Sequence, residues 1–386
     1  MKKIIAFAFG LSAFLLAFAE EKNSNVVDFY RGNIKDKISV VKKSMEAGDS
    51  SVAVRAIEFL IDTNEVLAND EDYNELAEIS INSFNSRNIV GIEKQVSSKL
   101  CSLFKMTESH RVKIAIMDFF NVMPSAEAVQ MVNDFFYKKM QNHNPVDESV
   151  VKAVEFMGSK GNAASFNRLF IADILEVWPE FSPKIAECYG NLAEENRREI
   201  LQMIVSVPAD KKIVILNKIN ANPKISKKIC GECAENVLLT VINKDEEVKS
   251  REKKEDLITL ELLCLETIAN AKWTRASAAA TKSFDRVRSE YEVKDITDEQ
   301  FTKAICNIAA VAGSDTVVVL SSYLDFLNKS TESGHAPAKE VVLSVINSLG
   351  ELGDNRAFDF IYAATSLEYP NEVVEAAKSA ITKLKW

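Results

Sequence analysis

Glu148 to Asn162 reads ESVVKAVEFMGSKGN and Glu340 to Asp354 reads EVVLSVINSLGELGD, one phrase written twice at an offset of 192 residues. The superposition pairs Val150 with Val342, Val151 with Leu343, Val154 with Ile346 and Met157 with Leu349, then Gly158 with Gly350 and Gly161 with Gly353. The apolar pairs fall three and four residues apart, the spacing of one face of an α-helix, and the glycines predict that both helices stop in the same way. Downstream, Phe166 pairs with Phe358 and Leu169 with Ile361, so the unit is a helix, a glycine-ended turn and a second helix. One helix pair cannot bury such a stripe alone, so neighbouring pairs must stack and share a core. Val151, Val154, Met157, Phe166 and Leu169 are the expected core of one unit, and Leu343, Ile346, Leu349, Phe358 and Ile361 that of the other.

The pattern spreads outward from these two copies. Val54 to Leu60, VRAIEFL, matches VKAVEFM at Val151 to Met157, and Ile114 to Met123 joins at an offset of 37 with Pro124 standing in for Gly161. Looser copies lie at Phe301 to Gly313 and around Leu257 to Ala269. Pro145, Pro183 and Pro223 follow one another at 38 and 40 residues, as prolines at the first position of successive helices would. A period of 37 to 42 is too long for ankyrin or tetratricopeptide repeats and fits the HEAT and armadillo class. Only 12 glycines and 8 prolines interrupt 386 residues, about 5% against a usual ~12%. Long helices with short connections follow, and the expected fold is all-α, an α-α superhelix of HEAT/armadillo type.

Asn347 to Ala363, NSLGELGDNRAFDFIYA, followed by VVEAAKSAITKL at Val373 to Leu384, resembles the HEAT repeats of the phycobilisome-lyase type. In that family an LGxLGD turn joins two helices and a V-x-x-AA-x-x-A-x-x-x-L pattern forms the next inner helix. The resemblance is good over Ala338 to Leu384, fair over Val112 to Leu175 and only periodic elsewhere. It implies a fold and very little activity. The deoxyhypusine hydroxylases, also HEAT proteins, bind iron through His-Glu dipeptides, whereas His110, His143 and His335 are followed by Arg111, Asn144 and Ala336. No metal ligand carries over.

Residues 1–19 read as a signal peptide: Lys2-Lys3, an apolar run from Ile4 to Phe18 too short to span a bilayer, and small residues at Ala17 and Ala19 before Glu20. The remaining divisions are a leader or cap at 20–48, helical repeats over 49–243, a charged connector at 244–256 and repeats again over 257–386. The connector, KDEEVKSREKKED over Lys244 to Asp256, is expected to be an exposed loop or a solvated helix face, the alternative being a hinge between two repeat blocks. Cleavage before Glu20 predicts a periplasmic or secreted protein with no membrane span. Loss of Lys2 and Lys3 takes the formal net charge from −9 to −11, which argues against a nucleic-acid partner. The basic pairs Lys138-Lys139, Arg197-Arg198, Lys211-Lys212 and Lys227-Lys228 are short and read as solvated helix faces.

No Gly-x-Ser-x-Gly elbow, phosphate-binding loop or dinucleotide turn occurs. The pointed feature is Cys230-Gly231-Glu232-Cys233. It admits four readings: two packing thiols, a local disulfide between Cys230 and Cys233, half of a zinc site, or a redox pair. Packing is favoured because nothing nearby reads as a strand, and because Cys188 and Cys230, like Cys264 and Cys306, stand 42 apart, as equivalent core positions would. No catalytic, cofactor or metal residue is nominated. The expected function is a non-enzymatic scaffold for a protein or peptide partner in the cell envelope. The alternatives are a structural component of an envelope assembly and a lyase-like enzyme on the same scaffold.

Overall fold

The computed structural model describes residues 24–67, 70–242, 253–311 and 313–385. The signal segment and most of the charged connector lie outside them. The described residues are all-α, with one isolated β-bridge between Asp354 and Lys385. The chain divides after Leu192 into two compact units, so the connector falls within the second.

The first unit contains α1 (Ile34–Glu46), α2 (Ser51–Asp62), α3 (Glu71–Asn82), α4 (Glu93–Met106), α5 (His110–Val122), α6 (Ala126–Gln141), α7 (Glu148–Lys160), α8 (Ala163–Ile174) and α9 (Ser182–Leu192). The second contains α10 (Arg197–Ser206), α11 (Ala209–Ala221), α12 (Lys227–Ile242), α13 (Lys254–Asn270), α14 (Ser277–Glu292), α15 (Asp298–Ala310), α16 (Ser314–Glu332), α17 (Lys339–Leu352), α18 (Phe358–Ala364) and α19 (Asn371–Lys383). Within each unit odd-numbered helices pack on odd, even on even, and each helix also packs on a neighbour in the other layer. Each unit is therefore a two-layer stack of solenoid type. Residues 34–46, within the stretch expected as a leader or cap, form α1, a member of the odd layer, and Lys254 to Asp256 form the first turn of α13.

Helix starts follow from short polar side chains that take up otherwise orphaned backbone N–H groups. Ser109 caps α5, Ser125 caps α6 and Asp147 caps α7, while Asn33 and Thr297 form capping boxes on α1 and α15.

The offset of 192 survives in three dimensions. The matched phrases are α7 and α17, both odd-layer helices. A methyl on Gly158 would lie 2.6 Å from Cβ of Cys188 on α9, and one on Gly350 would lie 2.7 Å from Cβ of Ala380 on α19. Positions 188 and 380 are themselves 192 apart, so the same close helix approach is built twice. Val154, Met157, Phe166, Leu169, Ile346, Leu349 and Ile361 are fully buried.

Several expectations fail in detail. Val151 and Leu343 are only half-buried, because Val150 and Val342 take the buried place in the first turn of each helix, and Phe358 is half-buried although its partner Phe166 is fully buried. The two helix ends differ: Gly353 adopts a left-handed cap at φ +68, whereas Gly161 is extended. Val54 to Leu60 lies in α2, an even-layer helix, so its likeness to α7 does not mark an equivalent place. Helices of both layers bury one face and share its spacing. The proline ruler fails for the same reason: Pro183 is the second residue of odd-layer α9, while Pro145 and Pro223 lie in the turns before α7 and even-layer α12.

Candidate functional site

Cys230 and Cys233 lie on α12 as separate, buried thiols. Burial pushes both thiols upward, Cys233 to about 12, which suppresses the reactive thiolate. Cys230 Sγ donates to the Ile219 carbonyl at 3.9 Å. The rest of the motif has structural partners too. A methyl on Gly231 would lie 2.7 Å from Cβ of Trp273, Glu232 pairs with Arg197, and Glu235 accepts from the Trp273 indole at 2.8 Å. The cysteines are not equivalent repeat positions: Cys188 is on odd-layer α9, Cys230 on even-layer α12, and Cys264 is fully buried on α13 while Cys306 is exposed on α15. Spacing near 40 marks a repeat only when both residues belong to the same layer. Among the described residues no cluster of His, Cys, Asp and Glu is arranged to hold a metal ion.

Two other arrangements stand out, one in each unit. In the second unit Arg288 of α14 lies over the rings of Phe326 and Tyr323 on α16, 4.6 and 5.1 Å from their centroids, and its guanidinium is held by Glu292 at 2.7 Å. Tyr323 is buried, but Phe326 is 47% exposed, and Tyr362 on α18, the next even-layer helix, is 57% exposed.

In the first unit a cavity of about 340 Å³ opens between α4 and α6, lined by Phe104, Met131 and Phe135, with lysines 105, 113, 138 and 139 around it. Phe104 and Phe135 meet edge to face at 5.4 Å. Lys113, the fourth residue of α5, is only 7% exposed, with its ammonium 5.9 and 5.5 Å from the centroids of Phe104 and Phe135. Burial lowers its pKa, and Glu108, 3.6 Å away, partly restores it. That glutamate is 81% exposed, so the attraction it supplies is screened by water. Lys139 is committed elsewhere, to Asp147 at 2.7 Å. Burial alone would raise the Asp147 carboxyl, but hydrogen bonds from Lys139, Ser149 and the Val150 backbone prevail and hold it at about 2. His110 donates or accepts at Ser149, 3.0 Å away, and sits beside the same carboxylate.

The same place on other odd-layer helices holds buried residues of several kinds, Asn74, Ile185, Lys212 and Leu257 among them, and in two cases, Lys37 and Phe301, it lies among aromatic rings as Lys113 does. Lys37, the fourth residue of α1, also sits over two rings, Phe29 and Phe59, but donates to the carbonyls of Phe29 and Gly32 at 2.6 and 2.7 Å. Phe301, the fourth residue of α15, fills a cluster with Phe284, Tyr291 and Tyr323. A lysine with backbone acceptors or an aromatic ring therefore satisfies the fold, and Lys113 is neither. Sequence reading missed it, although Lys113, Ile116, Met117 and Phe120 fall at helical spacing and set the lysine on the buried stripe.

No family model matches the sequence, and no curated protein matches it. No helix among the described residues is long and apolar enough to cross a membrane.

Proposed function

We propose that this chain is an exported, non-enzymatic helical-repeat protein of HEAT type that binds a protein or peptide partner in the cell envelope. The observation that carries the reading is the exposed Phe326 with Arg288 clamped over it, together with the exposed Tyr362 on the next even-layer helix. Aromatic residues and arginine dominate the energetics of protein interfaces, and a guanidinium already fixed by two rings and a carboxylate loses little freedom when a partner docks. The two-layer stack supports it further, since repeat proteins offer long continuous surfaces for macromolecules. The signal-like residues 1–19 support export, and the acidic balance favours a protein over a nucleic acid.

A photo-crosslinking amino acid at position 326 or 362, introduced in the native host, should yield an adduct containing another polypeptide, while one at the exposed odd-layer position 303 should not. Identical patterns from all three positions, or no polypeptide adduct from 326 and 362, would remove the support for this surface. N-terminal sequencing tests export separately: the mature chain should begin at or near Glu20, and an intact Met1 would contradict it.

A further inference from the structure

From the cavity around Lys113 we infer a second binding site, in the first unit, for a carboxylate carried on an apolar body. Three observations meet there. A nearly buried ammonium has one exposed glutamate as its ion-pair partner. The fold does not need a charge at this place, since Phe301, Ile185 and Leu257 hold the same helix position and are buried, while Lys37 holds it in α1 with two carbonyl acceptors and Lys212 holds it in α11 with a partner of its own. The space in front of Lys113 is open and floored by Phe104, Met131 and Phe135.

The charge count selects a monoanion. Lys139 is engaged by Asp147, Asp134 on the cavity wall is engaged by Arg168 at 3.1 Å, and Lys105 and Lys138 are exposed and solvated at the rim, which leaves Lys113 as the one nearly buried cation facing the cavity with an exchangeable partner. A phosphate would call for several converging cations, whereas a carboxylate replaces that of Glu108 one for one. Displacing Glu108 puts the ligand's oxygens on the ammonium in a drier setting, where the pair is stronger than with an exposed glutamate. The apolar body then covers the two rings, and a cavity of about 340 Å³ suits a body the size of a phenyl ring with a short chain. Such a carboxylate is supplied either by a free organic acid or by an acidic side chain of a polypeptide. This site is independent of the Phe326 surface and stands or falls by itself.

The test uses the full-length protein with 13C-methyl methionine, so that Met131 reports from the cavity wall. The probes are 4-phenylbutyrate, its neutral amide, and a blocked pentapeptide with glutamate between leucines. Phenylbutyrate or the peptide should shift the Met131 methyl saturably, and the amide should not. Lys113→Met should weaken that binding about tenfold or more, the loss expected for one charge-assisted contact. Glu108→Gln, an exposed change that leaves the core alone, should tighten it by removing the internal competitor. Tighter binding by the peptide assigns the ligand to a polypeptide, and binding by the free acid alone assigns it to a small molecule. Absence of a saturable shift with both anionic probes, equal affinity in Lys113→Met, or equal binding of the amide would overturn the site.

Discussion

The fourth residue of α5 and the fourth residue of α15 are set into the same surroundings, between aromatic side chains of the flanking even-layer helices, yet one is Lys113 and the other Phe301. In the second unit the ring closes the cluster, with Tyr291 stacked at 4.4 Å and Tyr323 edge-on at 5.7 Å. In the first an ammonium lies over two rings and a cavity opens in front of it. A buried charge without fixed acceptors lowers stability, and a well-packed apolar group in its place commonly does not. The difference is the physical ground for placing the inferred carboxylate site at Lys113.

The largest effect should come from forcing the second unit to resemble the first. Phe301→Lys would bury an ammonium with no acceptor beside it and should lower stability by about 3–5 kcal/mol in urea denaturation. A loss under about 1 kcal/mol would mean the two positions are not comparable. Next, Met157→Ala and Leu349→Ala remove paired, fully buried side chains and should each lose roughly 2–5 kcal/mol. Losses below about 0.5 kcal/mol, the level of surface changes, would break the 192-residue register. Gly158→Ala and Gly350→Ala press the same helix approach in each unit, and overpacking predicts about 1–3 kcal/mol for both. A tolerated methyl in one unit alone would show that the approach is not equivalent.

The smallest effect concerns acid. Asp147 is held at about 2 in the folded chain, below the value of about 3.9 expected when unfolded. Its contribution is therefore complete above about pH 4 and is lost as pH falls toward 2. Asp147→Asn should flatten the stability profile in that window and leave the profile above pH 5 parallel to that of the parent. An unchanged slope between pH 4 and 2 would show that Lys139 does not hold this carboxylate.

The fold was largely legible in the sequence because the burial of one helix face leaves a period, and two well-preserved copies set the register of α7 and α17. Layer membership was not. Val54 to Leu60 and Val151 to Met157 look alike because even and odd helices bury stripes of the same width, and only three-dimensional packing separates them. The helix ends were misread because Gly161 and Gly353 match as letters, whereas only Gly353 uses the left-handed backbone that favours glycine. The CGEC motif drew notice for chemistry, but Gly231 admits Trp273 and both thiols face inward. Lys113 went unnoticed because a lysine on a helix reads as solvated unless its place on the stripe is counted, and the rings that surround it come from Phe104 and Phe135 on other helices.

The most direct test of the contrast is a pair of urea denaturation curves, for Lys37→Met and Lys113→Met, recorded without ligand. The first strips the Phe29 and Gly32 carbonyls of their donor and should lose about 1–3 kcal/mol. The second removes a buried charge that the fold does not use and should change stability by less than about 1 kcal/mol or raise it. If Lys113→Met loses as much as Lys37→Met, Lys113 is a structural lysine and the cavity beside it has no claim to be a binding site.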